Sequence, residues 1–334
     1  MTALKPPDQP ALRQVRPHFR DLPLRVGTRA SPLALVQTRA FLTVLRHFCP
    51  VLQSLDVFDE QPIITTGDRV QDRRLAEIGG KGLFAKEIHE ALADRRVDFA
   101  VHSLKDLETA LPPGIVLACT LKREDARDAL FLGPGSGIAR PEDPFAALDP
   151  GAVVGTSSVR RQAQLLHTRP DLNVVPLRGN VGRRLARIRS GQCSAGVLAL
   201  AGLRRLDIAG PNVLPLDAET MVPAAGQGII GVTVRADDEE LLELLAAIED
   251  REAAAVARAE RALLAALDGS CRTPIGGHAR LLPGGRLWLT GLVARPDGSF
   301  LLRRSLSGPA GEAARIGAEL GLSLRADAPA DIFV

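Results

Sequence analysis

Short apolar runs alternate with amphipathic stretches along most of the chain, a pattern typical of α/β proteins. Leu24 to Gly27 predicts a first strand. Ser31-Pro32 then predicts the start of a helix, because Ser favours the N-cap and Pro favours the first helical position. Apolar residues continue at helical spacing to Val44. Residues 54–66 predict a second strand.

The glycine-rich loop Gly79-Gly80-Lys81-Gly82 precedes a predicted helix from Leu83 to Ala93. This loop lacks the spacing of a phosphate-binding P-loop, so a flexible lid is the better interpretation. A short buried strand follows from Asp98 to His102. It ends in His102-Ser103-Leu104-Lys105-Asp106, and residues 133–151 are then predicted to form a loop or linker.

The second half repeats this construction. Val-Gly-Thr occurs at 26–28 and again at 154–156, each time after a predicted strand and before a serine and a helix. Further predicted strands at Val174-Val175 and Ala195 to Leu198 precede helices from Val181 and Ala201. Two similar α/β halves would direct two helix N-termini at one cleft, although a three-residue match also arises by chance.

The chain changes character after residue 228. Ile229 to Val234 predicts a strand that returns to the first half and so makes a two-segment hinge. A helix from Ala253 to Leu267, strands around 276–282 and 286–294, and a helix over about 309–320 then predict a small α+β unit. The expected domains are a flexible extension 1–20, an α/β domain 21–122 plus 228–248, a second α/β domain 123–227, and an α+β domain 249–334.

Composition limits the function classes. The chain of 334 residues has a net charge of +3 and 46% hydrophobic residues, ordinary for a soluble globular protein. Four scattered cysteines without a CxxC pair argue against a structural zinc site. We find no signal peptide or apolar run long enough to span a membrane, and expect a cytoplasmic protein with no metal and no membrane partner.

Basic charge is concentrated between Gly155 and Arg189, where eight arginines face one acid, Asp171. Hydroxyl residues and glycines lie where helices should begin, and these groups together favour anion binding. A solvated basic face is the simpler alternative. Nucleic acid is disfavoured, because the chain has no Tyr and one Trp, and no aromatic residue lies in this stretch.

Two further positions are candidates for chemistry. Arg29 lies between a predicted strand end and a helix start, where open α/β sheets hold ligands. Asp106 follows a buried strand and could exchange protons with a substrate, although a solvated turn is equally compatible with this position. Cys271, on the predicted loop between a helix and a sheet, suits a covalent attachment point if it is not a buried structural thiol.

Several motifs, in this order and spacing, resemble those of the hydroxymethylbilane synthase (porphobilinogen deaminase) family over about residues 22–300. They are Thr28-Arg29-Ala30-Ser31-Pro32-Leu33-Ala34-Leu35, Ile78-Gly79-Gly80-Lys81-Gly82-Leu83-Phe84, His102-Ser103-Leu104-Lys105-Asp106, Gly155-Thr156-Ser157-Ser158-Val159-Arg160-Arg161, Leu177-Arg178-Gly179-Asn180, Gly226-Gln227-Gly228 and Gly269-Ser270-Cys271.

The resemblance implies two doubly wound lobes similar to periplasmic binding proteins, plus a small α+β domain. It implies a monomer that condenses four porphobilinogen molecules head to tail, each with loss of ammonia, and releases hydroxymethylbilane with water. The implied cofactor is dipyrromethane, held by a thioether to Cys271. Since each pyrrole carries an acetate and a propionate, arginine forks and helix N-termini suit the growing chain.

The matching motifs also imply residue roles. Asp106 is the expected catalytic acid and base, which stabilises the cationic azafulvene and pyrrolenine states. Arg29 helps to protonate or position the leaving amine. The residues expected to contact cofactor or substrate are Arg29, Ser31, Lys81, Lys105, Asp106, Thr156, Ser157, Ser158, Arg160, Arg161, Arg178, Arg184, Arg205 and Gln227.

Two positions depart from the family pattern. Glu77 stands where many members have Lys, and Glu108 stands where Pro commonly follows the Lys-Asp pair, so we expect a looser backbone after Asp106. A non-catalytic binding protein for a small anion, built from the same two lobes, is the alternative function. Cys271 and the third domain discriminate against it, since a binding module needs neither.

Overall fold

A computed structural model describes residues 21–53, 57–70, 82–137, 140, 142–269 and 273–333. The strands of these residues are β1 (Leu24–Arg29), β2 (Phe58–Ile63), β3 (Phe99–Ser103), β4 (Ile115–Thr120), β5 (Asp128–Leu132), β6 (Val153–Gly155), β7 (Asn173–Val175), β8 (Ala195–Ala199), β9 (Val213–Pro215), β10 (Ile230–Arg235), β11 (Ile275–Leu282), β12 (Arg286–Ala294) and β13 (Leu301–Pro309). The α-helices are α1 (Pro32–Phe48), α2 (Thr66–Arg69), α3 (Lys86–Ala93), α4 (Val159–Thr168), α5 (Val181–Arg189), α6 (Leu200–Arg205), α7 (Glu239–Ala246), α8 (Arg251–Ala266) and α9 (Ala313–Asp327).

Two five-stranded sheets share one topology. The first has the order β2-β1-β3-β10-β4, and the second has the order β7-β6-β8-β5-β9. In each sheet the first three strands are parallel, and the fourth runs antiparallel to both of its neighbours. Val26-Gly27-Thr28 lies on β1 and Val154-Gly155-Thr156 begins on β6, so the repeated tripeptide occupies the same place in both sheets.

The antiparallel strands β10 and β5 are each formed just after the chain crosses from one sheet to the other. The chain leaves the first sheet after β4 and enters the second at β5, and it returns after β9 to form β10. Two connecting segments, 121–127 and 216–229, therefore link the two units. A strand whose sheet is covered on both faces is apolar along its length, as Ala129 to Leu132 of the fully buried β5 illustrates.

The third unit packs two helices against the three-stranded antiparallel sheet β11-β12-β13. Helix α9 lies so close to α8 that a Cβ atom at Gly321 would come within 2.6 Å of the Ala266 side chain and 2.8 Å of the Leu263 carbonyl oxygen. Since such distances are too short for real contacts, glycine permits this helix packing. The α/β class, with two lobes and a small C-terminal α+β unit, is confirmed.

Some predicted bounds were wrong. The final helix begins at Ala313, because residues 301–309 form the edge strand β13. The helix predicted from Leu83 begins at Lys86, after a turn. The segment 133–151 was predicted to be a loop or linker; its described part is a loop packed on the second lobe and not a linker, because Phe145 and Ala147 are buried in that lobe's core. Strands β4, β5, β9 and β13 and helices α2 and α7 were not predicted.

Candidate active site

A cavity of about 590 Å³ lies between the two five-stranded sheets and reaches the third unit. Its walls come from the strand ends and helix starts of both lobes, and Leu264 of α8 with Thr273 and Ile275 closes one side. Among the described residues, seven cationic side chains and two carboxylates line it, namely Arg29, Lys105, Arg160, Arg161, Arg178, Arg183 and Arg184 with Asp68 and Asp106. This composition favours a ligand with several negative charges.

Three helices begin at the cavity, each with a polar N-cap. The Ser31 Oγ accepts a hydrogen bond from the Ala34 amide, the Ser158 Oγ from the Arg161 amide, and the Asn180 Oδ1 from the Arg183 amide. Their N-terminal dipoles therefore add to the positive potential. Beside them, the Oγ of Ser157 is buried without a hydrogen-bond partner among the described residues, which suits a ligand acceptor.

Arg29 joins two carboxylates at one end of the cavity. Its Nη1 donates to Asp106 Oδ2 at 3.2 Å, and its Nη2 donates to Asp68 Oδ1 at 2.5 Å. The guanidinium carbon lies 4.2 Å from the centre of the Phe84 ring, a cation–π contact. Burial alone would lower the pKa of Arg29, but Asp68 and Asp106 outweigh burial and raise it. Arg29 is therefore a fixed cation beside Asp106.

Asp106 lies in the short 3₁₀ turn Leu104–Asp106 that follows β3. A quarter of its side chain is exposed, so it can meet a ligand in the cavity. The backbone after it is held rather than loose: Arg261 Nη2 donates to the carbonyl oxygens of Glu108 at 2.7 Å and Thr109 at 3.0 Å. These bonds anchor the segment that follows Asp106 to α8.

Arg160 and Arg161 converge on a buried carboxylate at the back of the cavity. Arg160 Nη2 donates to Asp128 Oδ2 at 2.8 Å, and Arg161 Nη2 donates to Asp128 Oδ1 at 2.8 Å. Burial would raise the pKa of Asp128, but the two arginines hold it well below its usual range. Burial also lowers the pKa of Arg160 in spite of Asp128.

Lys105 and Arg184 are cations in a setting that disfavours charge. Burial and then the charge of Arg161 lower the pKa of Lys105 to about 8. Burial, Arg161 and Arg178 lower the pKa of Arg184 to about 10. Bound carboxylates would relieve this repulsion, because each brings a negative charge close to several cations.

The remaining predicted residues are placed as follows. Arg178 donates to the Val70 carbonyl at 2.7 Å and lines the cavity. Thr156 lies behind the cavity wall, where its Oγ1 accepts from the Ser158 amide at 3.2 Å. Arg205 is outside the cavity lining and donates to the Gly228 carbonyl at 2.7 Å. Lys81, Cys271 and Glu77 lie outside the described residues.

Among the residues of the site, Asp68, Phe84, Asp128 and Arg183 were given no individual role by the sequence. Asp68 follows a predicted strand and opens a helical turn, which is the same signal that drew attention to Arg29. Asp128 precedes the apolar run of β5, and a charge beside such a run signals a buried partner. The identity of that partner is visible only in the fold.

The described residues contain no group of three His, Cys, Asp or Glu side chains that could hold a metal ion. None of their helices is long and apolar enough to cross a membrane.

Comparisons with known proteins cover most of the chain. Residues 24–243 match the family model "Porphobilinogen deaminase, dipyromethane cofactor binding domain", and residues 254–326 match "Porphobilinogen deaminase, C-terminal domain". Porphobilinogen deaminase of Paracoccus denitrificans is 48% identical over 311 residues, which cover 93% of this chain and 96% of the relative. That of Sorangium cellulosum is 46% identical over 306 residues, 90% of this chain and 98% of the relative.

Among solved structures, the VFT2 domain of BvgS from Bordetella pertussis (a double mutant) aligns with a TM-score of 0.38 and 16% identity. The alignment covers 70% of this chain and 91% of the BvgS chain. The periplasmic molybdate-binding protein of Azotobacter vinelandii aligns with a TM-score of 0.37 and 12% identity, over 70% of this chain and 96% of that protein.

Proposed function

The chain belongs to the porphobilinogen deaminase family and is a transferase of tetrapyrrole biosynthesis, and we propose that its cavity residues perform the reaction as follows. The substrate is porphobilinogen, four molecules of which are joined with loss of ammonia before hydroxymethylbilane is released. The observation that carries the proposal is the excess of cations over carboxylates, seven against two, among the described residues that line the cavity.

The cavity lining fits dipyrromethane by its chemistry. The carboxylates of the pyrrole side chains are bound well by guanidinium groups, helix N-termini and hydroxyl donors. Guanidinium groups and a hydroxyl are supplied here by Arg160, Arg161, Arg184 and the Ser157 Oγ. When bound, the cofactor supplies the nucleophilic pyrrole end to which the first substrate is joined. Its covalent attachment to Cys271 is supported by Thr273 and Ile275, which follow position 271 closely and line the cavity.

Asp106 is the proposed catalytic residue. Departure of ammonia leaves positive charge on the substrate's methylene carbon and ring, and the adjacent, three-quarters buried carboxylate of Asp106 stabilises that charge. After the new carbon–carbon bond forms, Asp106 accepts the proton released from the pyrrole α-carbon and returns it to solvent. None of the described residues donates to Asp106 Oδ1, whereas Arg29 orients the carboxylate through Oδ2.

Arg29, Ser31, Lys81, Arg205 and Gln227 are proposed substrate contacts, together with Arg178 and Arg184. Lys105, Thr156 and Ser158 complete the proposed cofactor contacts. For Arg205 the role requires that it leave the Gly228 carbonyl, its partner here. We further propose a cytoplasmic monomer that binds no nucleic acid, with the domain limits expected from the sequence. The membership of β10 in the first sheet supports those limits.

The intact mass of the purified protein tests the attachment. We expect an excess equal to two linked pyrrole units in the natural chain and none in Cys271→Ser. Active protein of unmodified mass would exclude the covalent cofactor. Porphobilinogen consumption by the same preparation tests the reaction itself, and anion binding without turnover would favour a binding protein instead.

A further inference from the structure

Asp128 is a buried carboxylate to which the sequence assigned no role. It begins β5, and its side chain is 0% exposed. Arg160, Arg161 and Gln227 all donate hydrogen bonds to it. Burying a carboxylate costs free energy of folding even when it is paired. A buried carboxylate that binds several cavity residues therefore calls for a functional explanation.

Each arginine is fixed at two points. Arg160 Nη2 binds Asp128, while its Nη1 donates to the Val222 carbonyl at 2.6 Å. Arg161 binds Asp128 through Nε at 3.1 Å and Nη2 at 2.8 Å, while its Nη1 donates to the Val197 carbonyl at 2.9 Å. Two anchors fix the plane of a guanidinium, and both side chains line the cavity.

Gln227 extends the same arrangement to a third cation. Its Nε2 donates to Asp128 Oδ1 at 2.8 Å and to the Ala126 carbonyl at 2.7 Å. Its Oε1 accepts from Lys105 Nζ at 3.3 Å. The amide is thus bonded on both sides by protein groups, and it links Lys105 to the carboxylate that holds the arginines.

The three cations repel one another, and Asp128 opposes that repulsion. Burial lowers the pKa of Lys105 most, and the charges of Arg161 and Arg160 lower it further, whereas those of Asp106 and Asp128 raise it. Without the Asp128 charge, the side chains would be expected to turn apart or Lys105 to lose its proton. Either change would disperse the positive charge that faces the cavity.

We propose that Asp128, assisted by Gln227, is a positioning residue that assembles Arg160, Arg161 and Lys105 into one rigid receptor for neighbouring carboxylates of the bound pyrrole chain. The inference rests on the proposed function. A receptor assembled in advance binds more tightly, because the ligand need not order the three side chains or overcome their mutual repulsion.

The opposite effect is physically possible and is distinguishable. If Asp128 acted as a substitute for ligand carboxylates, it would compete with them for the same guanidinium N–H groups. Removal of its charge would then tighten binding, whereas loss of a positioning residue weakens it. The sign of the change therefore decides between the two roles.

The experiment compares Asp128→Asn with Asp238→Asn. The control removes the charge of another buried carboxylate paired with an arginine, Arg235, at 3.0 Å and outside the cavity lining. Each protein is produced without cofactor in cells that cannot make porphobilinogen. It is then incubated with porphobilinogen, and the mass gain of two pyrrole units is followed against concentration.

We expect the half-loading concentration to rise at least tenfold in Asp128→Asn and to stay within twofold in the control, at comparable losses of stability. A half-loading concentration for Asp128→Asn that is equal to or below that of the natural chain would overturn the proposal. Failure of the natural chain to gain mass would instead contradict the proposed function.

The pH dependence gives a readout that a purely structural role would not move. The groups around Lys105 are Arg160, Arg161, Asp106, Asp128 and the Gln227 amide. In Asp128→Asn, loading should weaken at lower pH than in the natural chain, because Lys105 loses its proton more readily. If Asp128→Asn does not fold, Gln227→Met removes the link between Lys105 and Asp128, together with the amide's bonds to Asp128 and the Ala126 carbonyl, but leaves both arginines on Asp128. Unchanged loading and an unchanged pH profile in that variant would contradict the proposal.

Discussion

Replacement of Asp106 by Asn separates catalysis from stability, because Asp68 provides a matched control on the same arginine. Arg29 bonds both carboxylates, and both line the cavity. Asp106→Asn removes the charge assigned to catalysis but leaves Arg29 on Asp68. Asp68→Asn removes the stronger anchor of Arg29 but leaves the Asp106 carboxylate in place.

The structure sets the expected magnitudes. The Arg29–Asp106 pair is a single 3.2 Å contact with side chains 22% and 25% exposed, so its loss should cost about 0.5–1 kcal/mol. Asp68 also accepts hydrogen bonds from the Thr65 Oγ1 at 2.8 Å and the Thr65 amide at 3.3 Å, so its replacement should cost about 2 kcal/mol.

The kinetic effects should have the opposite order. Loss of a group that transfers protons and stabilises developing charge lowers turnover by about 10³-fold, or roughly 4 kcal/mol in the barrier. Asp68→Asn keeps that group and disturbs only its neighbour, so about a tenfold loss is expected, on the order of 1.4 kcal/mol.

Porphobilinogen consumption and denaturant unfolding, both measured on cofactor-loaded protein, test this ordering. Loading is checked first by intact mass, so that a fall in turnover is not a failure to bind the cofactor. Asp106→Asn with ordinary turnover would remove Asp106 as the acid and base. A larger kinetic loss in Asp68→Asn than in Asp106→Asn would transfer the catalytic role to Asp68.

Three other changes probe the anion receptor. Arg160→Leu should reduce cofactor loading at least a hundredfold. It should lower stability by only about 3 kcal/mol, since Asp128 keeps Arg161 and Gln227 as partners. Loading assays and unfolding curves that show only the stability loss would contradict the role of Arg160 in binding. Loading should weaken as pH rises through about 8, where Lys105 loses its proton, and mass spectrometry across pH should show no such weakening in Lys105→Met. Ser157→Ala should raise the stability of the cofactor-free protein by about 1 kcal/mol, because it removes a buried hydroxyl without a partner among the described residues. The same change should weaken cofactor loading. A loss of stability with unchanged loading would refute the proposed contact between Ser157 and the cofactor.

Local signals in the sequence predicted much of the site. Ser31, Ser158 and Asn180 cap helices that begin beside apolar strands, and strand, cap and helix periodicity are properties of a few neighbouring residues. The repeated Val-Gly-Thr predicted two similar halves, and the shared strand order of the two sheets agrees with that interpretation. Residue types alone indicated a cleft for a polyanion, and the motifs indicated Asp106.

Pairings between distant segments were decided only by the tertiary structure. Asp68 and Arg29 are 39 residues apart, and Asp128 and Arg160 are 32 apart, so no local pattern links them. Phe145 lies in a segment rich in Gly and Pro that predicted a loop or linker, yet its side chain is buried in the core of the second lobe. Local preferences determine where helices and strands begin, whereas the partner of a buried charge depends on which strands become neighbours when the chain passes twice between the sheets.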